Sequence, residues 1–126
     1  MNQLNQIILE GNAVKEPTVK EPLPGFRVAS FTIGVNRCYK SNNGDLTEDV
    51  SYFDIECYNQ MADRAVKEIC KGRGIRIDGR LKQNRWRDND EYHSRVFIIA
   101  EHIEYISKPD AVPEEEPKPA EEEPQF

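Results

Sequence analysis

A change in the hydrophobic period near residue 59 constrains the fold more than any other feature of the sequence. Residues 27–36 and 50–58 alternate apolar and polar side chains with a period of two, which is typical of half-buried β-strands. After Asn59, a residue type that favours the helix N-cap, the apolar residues follow a helical period and stop before Lys71-Gly72. This helical stripe consists of Ala62, Ala65, Val66 and Ile69. The pattern predicts two strands followed by one helix.

Further strands are predicted on both sides of this central unit. The apolar residues 7–9 indicate a short first strand, and residues 75–81 alternate again, which indicates another strand after the helix. The prolines and glycine of residues 17–25 predict a loop. A polar loop is expected at about 82–91, followed by a final long strand at about 92–106.

The predicted element order is three strands, one helix and two strands. Five strands with one helix between the third and the fourth is the order of the OB fold, a partly open Greek-key barrel that binds oligonucleotides and oligosaccharides. We therefore predict a mainly β chain whose residues 1–108 form a five-stranded OB-fold barrel with a single helix.

Acidic residues are concentrated at the C-terminal end of the sequence. Residues 110–126 contain seven acidic residues and one lysine, whereas residues 1–109 contain 16 acidic and 16 basic residues, so the net charge of −6 belongs to the tail. Such a proline-rich segment buries too little apolar surface to offset the entropy of ordering. We predict a disordered acidic tail over residues 109–126, and a net-neutral folded domain that remains able to bind an anion.

The remaining composition argues against several classes of protein. The chain has no run of about 18 apolar residues, so we expect no membrane span and no membrane partner. Cys38, Cys57 and Cys70 are widely spaced and form no C-x-x-C motif, which favours reduced thiols and a cytoplasmic location. His93 and His102 lie nine residues apart, on opposite faces of the predicted last strand. Because no catalytic constellation is visible, we expect no enzyme, no metal and no cofactor.

Aromatic residues are predicted outside the core. Tyr52 and Tyr58 lie on the polar face of one strand, Tyr39 opens the polar loop at 40–45, and Trp86 lies in the later loop. Exposed rings stack on unpaired bases, and cations neutralise phosphates. Each ring alone is equally well explained by packing against a neighbouring strand or over a barrel end. Together with nearby cations, the four rings favour binding of a single-stranded nucleic acid. These cations are Arg37, Arg80, Lys82, Arg85 and Arg87.

Several motifs carry a resemblance to a known family. Residues 4–12, 28–35 and 77–81, with Glu16-Pro17 and Arg85-Trp86, resemble the bacterial single-stranded DNA-binding proteins over about residues 4–106. The resemblance implies a homotetramer without catalytic activity that protects single-stranded DNA in replication, recombination and repair, as a nucleoid-associated protein of the cytoplasm. It also assigns residue roles. Base stacking falls on Tyr39, Tyr52, Tyr58 and Trp86, and phosphate contacts fall among Lys71, Lys82, Arg85 and Arg87.

The end of the tail resembles the partner-docking tip of that family. The family tip combines acidic residues with a terminal phenylalanine, which implies that replication and repair proteins bind it here. The corresponding residues are Glu121, Glu122, Glu123, Pro124 and Phe126, with Gln125 in place of the family's penultimate proline. One alternative is that the glutamates only maintain solubility. For the whole chain, the alternative is an OB-fold protein-interaction module, an accessory of a replication or restart complex.

Overall fold

The computed structural model describes residues 1–107, which form a mainly β structure with one helix. The predicted acidic tail and its docking residues lie outside the described residues. Within residues 1–107 no helix is long and apolar enough to cross a membrane. The elements are β1 (Ile7–Ala13), β2 (Thr18–Leu23), β3 (Phe26–Lys40), β4 (Leu46–Tyr58), α1 (Asn59–Glu68), β5 (Gly74–Asp88) and β6 (Glu91–Ser107).

Five of these strands close into a barrel. β1 pairs antiparallel with β5 along one edge and with β3 along the other, and β3 pairs with β4. β6 pairs antiparallel with β5 and closes the ring by a short parallel pairing with β4, at Ile55↔Ile98 and Glu56↔Ile99. The helix lies between β4 and β5. The predicted mainly β, five-stranded barrel with one helix is therefore confirmed.

β2 is a strand that the sequence did not predict. The prolines of residues 17–25 predicted a loop, whereas Thr18–Leu23 pairs with β3 at the edge of the sheet. An edge strand tolerates Pro22, because one of its sides needs no backbone donor. The loop prediction is wrong for these residues, and the helix follows the fourth strand of the chain rather than the third.

The core comes from the alternating faces that the sequence predicted. Ile33 of β3 and Ile55 and Cys57 of β4 are fully buried, and they pack with Ile75 and Ile77 of β5. Burial raises the pKa of the Cys57 thiol to about 12, because the interior disfavours the thiolate. The apolar faces that the sequence predicted for β3, β4 and β5 therefore pack together inside one barrel.

The helix begins differently from the prediction. Tyr58 holds the N-cap position without a capping side chain, and Asn59 is the first helical residue, with φ of +54°. The Asn59 carboxamide oxygen instead accepts a hydrogen bond from the backbone N–H of Arg27 at 3.1 Å, which ties the helix to β3. Ala62 and Ala65 are buried as expected, but Val66 is half exposed.

The predicted polar loop at 82–91 is an ordered hairpin instead. β5 continues to Asp88 and β6 begins at Glu91, so only Asn89 and Asp90 form the turn. Both turn residues have positive φ, 49° and 67°, as a type I′ hairpin turn requires. Asparagine and aspartate tolerate this conformation better than other non-glycine residues. The barrel therefore extends into a long two-stranded arm.

Candidate nucleic-acid interface

One face of the β4–β6–β5 sheet contains half of the predicted contact residues. Ile55 of β4 and Ile98 of β6 point into the core, so the residues that alternate with them point outward. Cross-strand partners on β5 and β6 share that face. We call this surface the outer face. It contains Tyr52, Asp54, Glu56, Tyr58, Arg80, Lys82, Trp86, His93, Arg95, Phe97 and Ile99.

Two rings of the outer face are well exposed. Tyr52 is 53% exposed and lies against Gly34 of β3, where an added Cβ would approach the ring Cε1 atom to 3.2 Å. The missing side chain at Gly34 therefore leaves room for the ring to lie against the sheet. Trp86 is 48% exposed and stacks on His93, with ring centroids 5.5 Å apart and planes at 25°. One face of the indole remains available to a ligand.

The third ring, Tyr58, is half buried. It stacks on Phe26 of β3 with ring centroids 5.4 Å apart, and its hydroxyl donates a hydrogen bond to Glu56 Oε1 at 3.3 Å. Burial, with the neighbouring Glu56 carboxylate, raises the pKa of Tyr58. Less of this ring is open to a base than of Tyr52 or Trp86.

Tyr39 and Arg37 lie on the opposite side of the β3–β4 hairpin. The register pairs Tyr39 with Thr47 and runs without interruption from the barrel, so Tyr39 shares the face of the core residue Ile33. The Tyr39 ring is exposed, and the Arg37 guanidinium carbon lies 5.3 Å from its centroid. The structure therefore separates this ring from the other three.

The predicted cations are divided as well. Arg80 and Lys82 belong to the outer face, where Arg80 Nε donates to Glu101 at 3.3 Å, and Lys82 makes no ion pair with any residue of 1–107. Trp86 lies in β5 rather than in a loop, so its neighbours Arg85 and Arg87 point to the opposite face of the arm.

Two of the cations outside the outer face have defined surroundings. The Arg87 guanidinium carbon lies 5.1 Å from the Tyr92 ring centroid, and Arg87 also pairs with Asp90 at 3.4 Å. Lys71 lies in the turn after α1, where the adjacent Gly72 N–H donates to the Ala13 carbonyl at the end of β1. The length of β5 separates Lys71 from the tip of the arm.

Arg95 is an outer-face cation that the sequence reasoning did not select. Its Nη2 atom lies 3.6 Å from Asp54 Oδ2, and its Nη1 atom lies 3.6 Å from Glu56 Oε2. The guanidinium carbon lies 4.6 Å from the centroid of Phe97, which is buried beneath it. The β4 part of the outer face is thus acidic, with one cation held against it. Only the pairing of β6 with β4 reveals this arrangement.

A cleft opens where β4 and β6 diverge beyond their short parallel pairing. Its volume is about 300 Å³, and it is lined by Tyr52, Phe53, Asp54, Leu81, Val96, Phe97 and Ile98. Most of these residues are apolar, so the cleft offers a flat ligand an apolar wall with one carboxylate at its side. In the part of the chain that the structure describes, no group of three or more His, Cys, Asp or Glu residues is placed to hold a metal ion.

Comparison with known proteins places this chain in a family. Residues 4–106 match the model of the single-strand binding protein family. The chain belongs to this family. A single-stranded DNA-binding protein of Aquifex aeolicus is 34% identical over 125 residues, which cover 95% of this chain and 85% of that protein. A single-stranded DNA-binding protein of Treponema pallidum is 26% identical over 106 residues, 84% of this chain and 60% of that protein.

A solved structure shows the same fold. The Plasmodium falciparum SSB in complex with ssDNA aligns with a TM-score of 0.75 and 26% identity, over 85% of this chain and 98% of that chain. The resemblance that the sequence motifs suggested is therefore confirmed.

Proposed function

We propose that this chain is a single-stranded DNA-binding protein that binds many sequences and protects exposed strands during replication, recombination and repair. The observation that supports this most is the outer face, where the exposed rings Tyr52 and Trp86 lie on the same side of the barrel as Arg80 and Lys82. The chain that forms this barrel belongs to the single-strand binding protein family. Its relatives are named single-stranded DNA-binding proteins. We place it in the cytoplasm, at the nucleoid, and assign it no catalytic role.

The proposed mechanism combines base stacking with phosphate neutralisation. Tyr52 and Trp86 are the most exposed rings of the outer face, and each stacked base contributes about 1–3 kcal/mol. Arg80 and Lys82 lie on β5 at the same face and bind the phosphates. Tyr58 contributes a partly covered ring. The remaining predicted residues contact the DNA where it leaves the outer face. These residues are Tyr39, Arg37, Lys71, Arg85 and Arg87.

We also propose a homotetramer whose protomers pair partly through β1. The apolar side chains Leu4 and Ile8, at and before this strand, are 93% and 64% exposed in the isolated chain, so association would remove them from water. Light scattering at micromolar concentration tests this proposal, because a monomeric mass would contradict it.

The acidic tip with Glu121, Glu122, Glu123, Pro124 and Phe126 is proposed to bind replication and repair proteins.

A salt-dependent titration tests the DNA-binding function. A labelled mixed-sequence oligonucleotide is titrated with the full chain, and Trp86 emission is followed in parallel with anisotropy. We expect quenching of Trp86 and an affinity that falls as salt rises, because bound phosphates release counterions. The matched control is the duplex of the same sequence, which hides its base faces and binds more weakly. An oligonucleotide that fails to bind even at low salt contradicts the proposal and favours the protein-interaction module.

A further inference from the structure

His93 lies against the Trp86 ring on the outer face. The two residues are cross-strand partners in the β5–β6 arm, and their rings stack with centroids 5.5 Å apart and planes at 25°. The imidazole therefore supports the indole from one side and leaves the other side for a base. The His93 side chain is 40% exposed, so solvent and a bound strand can reach it.

Carboxylates lie beside this stacked pair at the end of the arm. The His93 Nε2 atom lies 3.9 Å from Glu91 Oε1, and Glu91 pairs across the strands with Asp88. Because side chains alternate along a strand, both carboxylates lie on the same side of the arm as the stacked rings, about 6.6 Å along their strands. When His93 is neutral, these two charges repel the phosphates of a strand whose base stacks on Trp86.

The cations of β5 do not compensate these carboxylates. Arg85 and Arg87 point to the opposite face of the arm, where Arg87 pairs with Asp90 of the turn at 3.4 Å. Lys82 shares the outer face, but it lies four residues from Trp86, or about 13 Å along the strand.

The cation of β6 is engaged with another strand. Arg95 is the next outward residue after His93, and its guanidinium lies 3.6 Å from Asp54 Oδ2 and 3.6 Å from Glu56 Oε2. These contacts direct its charge towards β4. Among the described residues, His93 is therefore the ionisable group that stacks on the indole and can add a positive charge beside it.

We propose that His93 is a DNA-binding residue that makes the affinity for single-stranded DNA depend on pH. This inference rests on the proposed function and adds a regulated contact to it. Histidine is the side chain that ordinarily gains a proton as pH falls from 8 to 5. As an imidazolium, His93 neutralises Glu91, attracts the indole through a cation–π interaction and places a positive charge near the phosphates. Because bound phosphates favour this charged form, binding takes up a proton, and affinity rises as pH falls.

The experiment compares binding of oligothymidine at pH 7.5 and pH 5.5. Thymine has no group that titrates in this range, and most carboxylates stay ionised. The full chain is titrated at constant salt, with anisotropy of the labelled oligonucleotide as the readout. We expect binding about fivefold tighter at pH 5.5, which corresponds to one strong exposed ion pair. In the free chain, Trp86 emission should also fall between these pH values, because an imidazolium quenches the indole on which it stacks.

The two histidines of the chain provide a matched pair of variants. His93→Gln should lose most of the rise in affinity at pH 5.5. His102→Gln is the same chemical change at an exposed position of β6 that pairs with Asp78, and it should keep the rise. His93→Phe keeps a ring against Trp86 but cannot be protonated. It should recover the affinity that His93→Gln loses at pH 7.5 without recovering the rise at pH 5.5, which separates support of the indole from the effect of charge.

Three results would overturn the role of His93. The first is a wild-type affinity that is the same at both pH values. The second is a rise that His93→Gln and His93→Phe retain in full, and the third is a rise that disappears in His102→Gln instead. These results leave the proposed function intact, whereas failure of the wild-type chain to bind oligothymidine at pH 7.5 and low salt refutes the proposed function itself.

Discussion

Replacing Trp86 with alanine tests the outer face most directly. The indole is 48% exposed, and one of its faces stacks on His93. The substitution therefore removes the other face, on which one base could stack. Loss of one stacked base costs about 1–3 kcal/mol of binding free energy. At constant salt this corresponds to a rise in Kd of roughly 5-fold to 150-fold. Because the side chain belongs to an exposed cross-strand pair, the free energy of unfolding should fall by at most about 1 kcal/mol.

The measurement is fluorescence anisotropy of a labelled mixed-sequence oligonucleotide, because the variant lacks the only tryptophan of the chain. Trp86→Phe keeps a ring at this position and should recover part of the affinity. Tyr92→Ala is the matched control, since Tyr92 is 78% exposed on the opposite face of the same arm. It should weaken binding less than Trp86→Ala does. An unchanged Kd in Trp86→Ala, or an equal loss in Tyr92→Ala, would refute the assignment of the indole as a stacking platform.

Three further changes test other parts of the structure. Lys82→Ala removes a cation that has no ion pair within residues 1–107, so the slope of log K against log salt should fall by about 0.7, and an unchanged slope would place the phosphates elsewhere. Gly79→Ala places a Cβ against the backbone carbonyl of Ile99, so urea denaturation should show a loss of about 1–3 kcal/mol, and retained stability would contradict this close approach. Burial raises the pKa of Tyr105 to about 12, which favours its neutral form in the folded chain. Its contribution to the free energy of unfolding is therefore fully present below pH 10 and declines as pH rises towards 12. Tyr105→Phe removes a buried hydroxyl that has no hydrogen-bond partner among the described residues, and it should reduce that decline in alkaline urea titrations; an equally steep decline would show that other groups cause it.

Local alternation predicted the strands of the barrel core well. Ile55 and Cys57 point inward and Tyr52 points outward, as their spacing indicated, because side-chain direction along a strand depends only on its period. β2 was missed because prolines suppress strand propensity in general, whereas an edge position removes the penalty. That edge exists only once β3 is paired on its other side by β4.

The candidate site was only partly predicted, because one of its strands reads as a loop in the sequence. Polar residues at 82–88 read as a loop, since neither side of an exposed hairpin arm shows apolar alternation. The type I′ turn at Asn89 and Asp90 and the pairing with β6 convert that segment into a strand. This pairing sends Trp86 to one face and Arg85 to the other. A loop prediction could not distinguish them.

The sequence by itself determined the type of each core element, the inward and outward faces of single strands, and the separation of an acidic tail from a net-neutral domain. Only the tertiary structure decided which outward faces lie together. Arg95 reaches Asp54 and Glu56 because β6 closes the barrel against β4, although about 40 residues separate them in the chain. Tyr39 and Tyr52 lie on opposite faces of the β3–β4 hairpin, because the pairing of these two strands continues without a register shift from the barrel to the end of the hairpin. The spacing of residues along a strand determines which face of the sheet each side chain occupies. Which strands lie next to it depends on closure of the whole barrel.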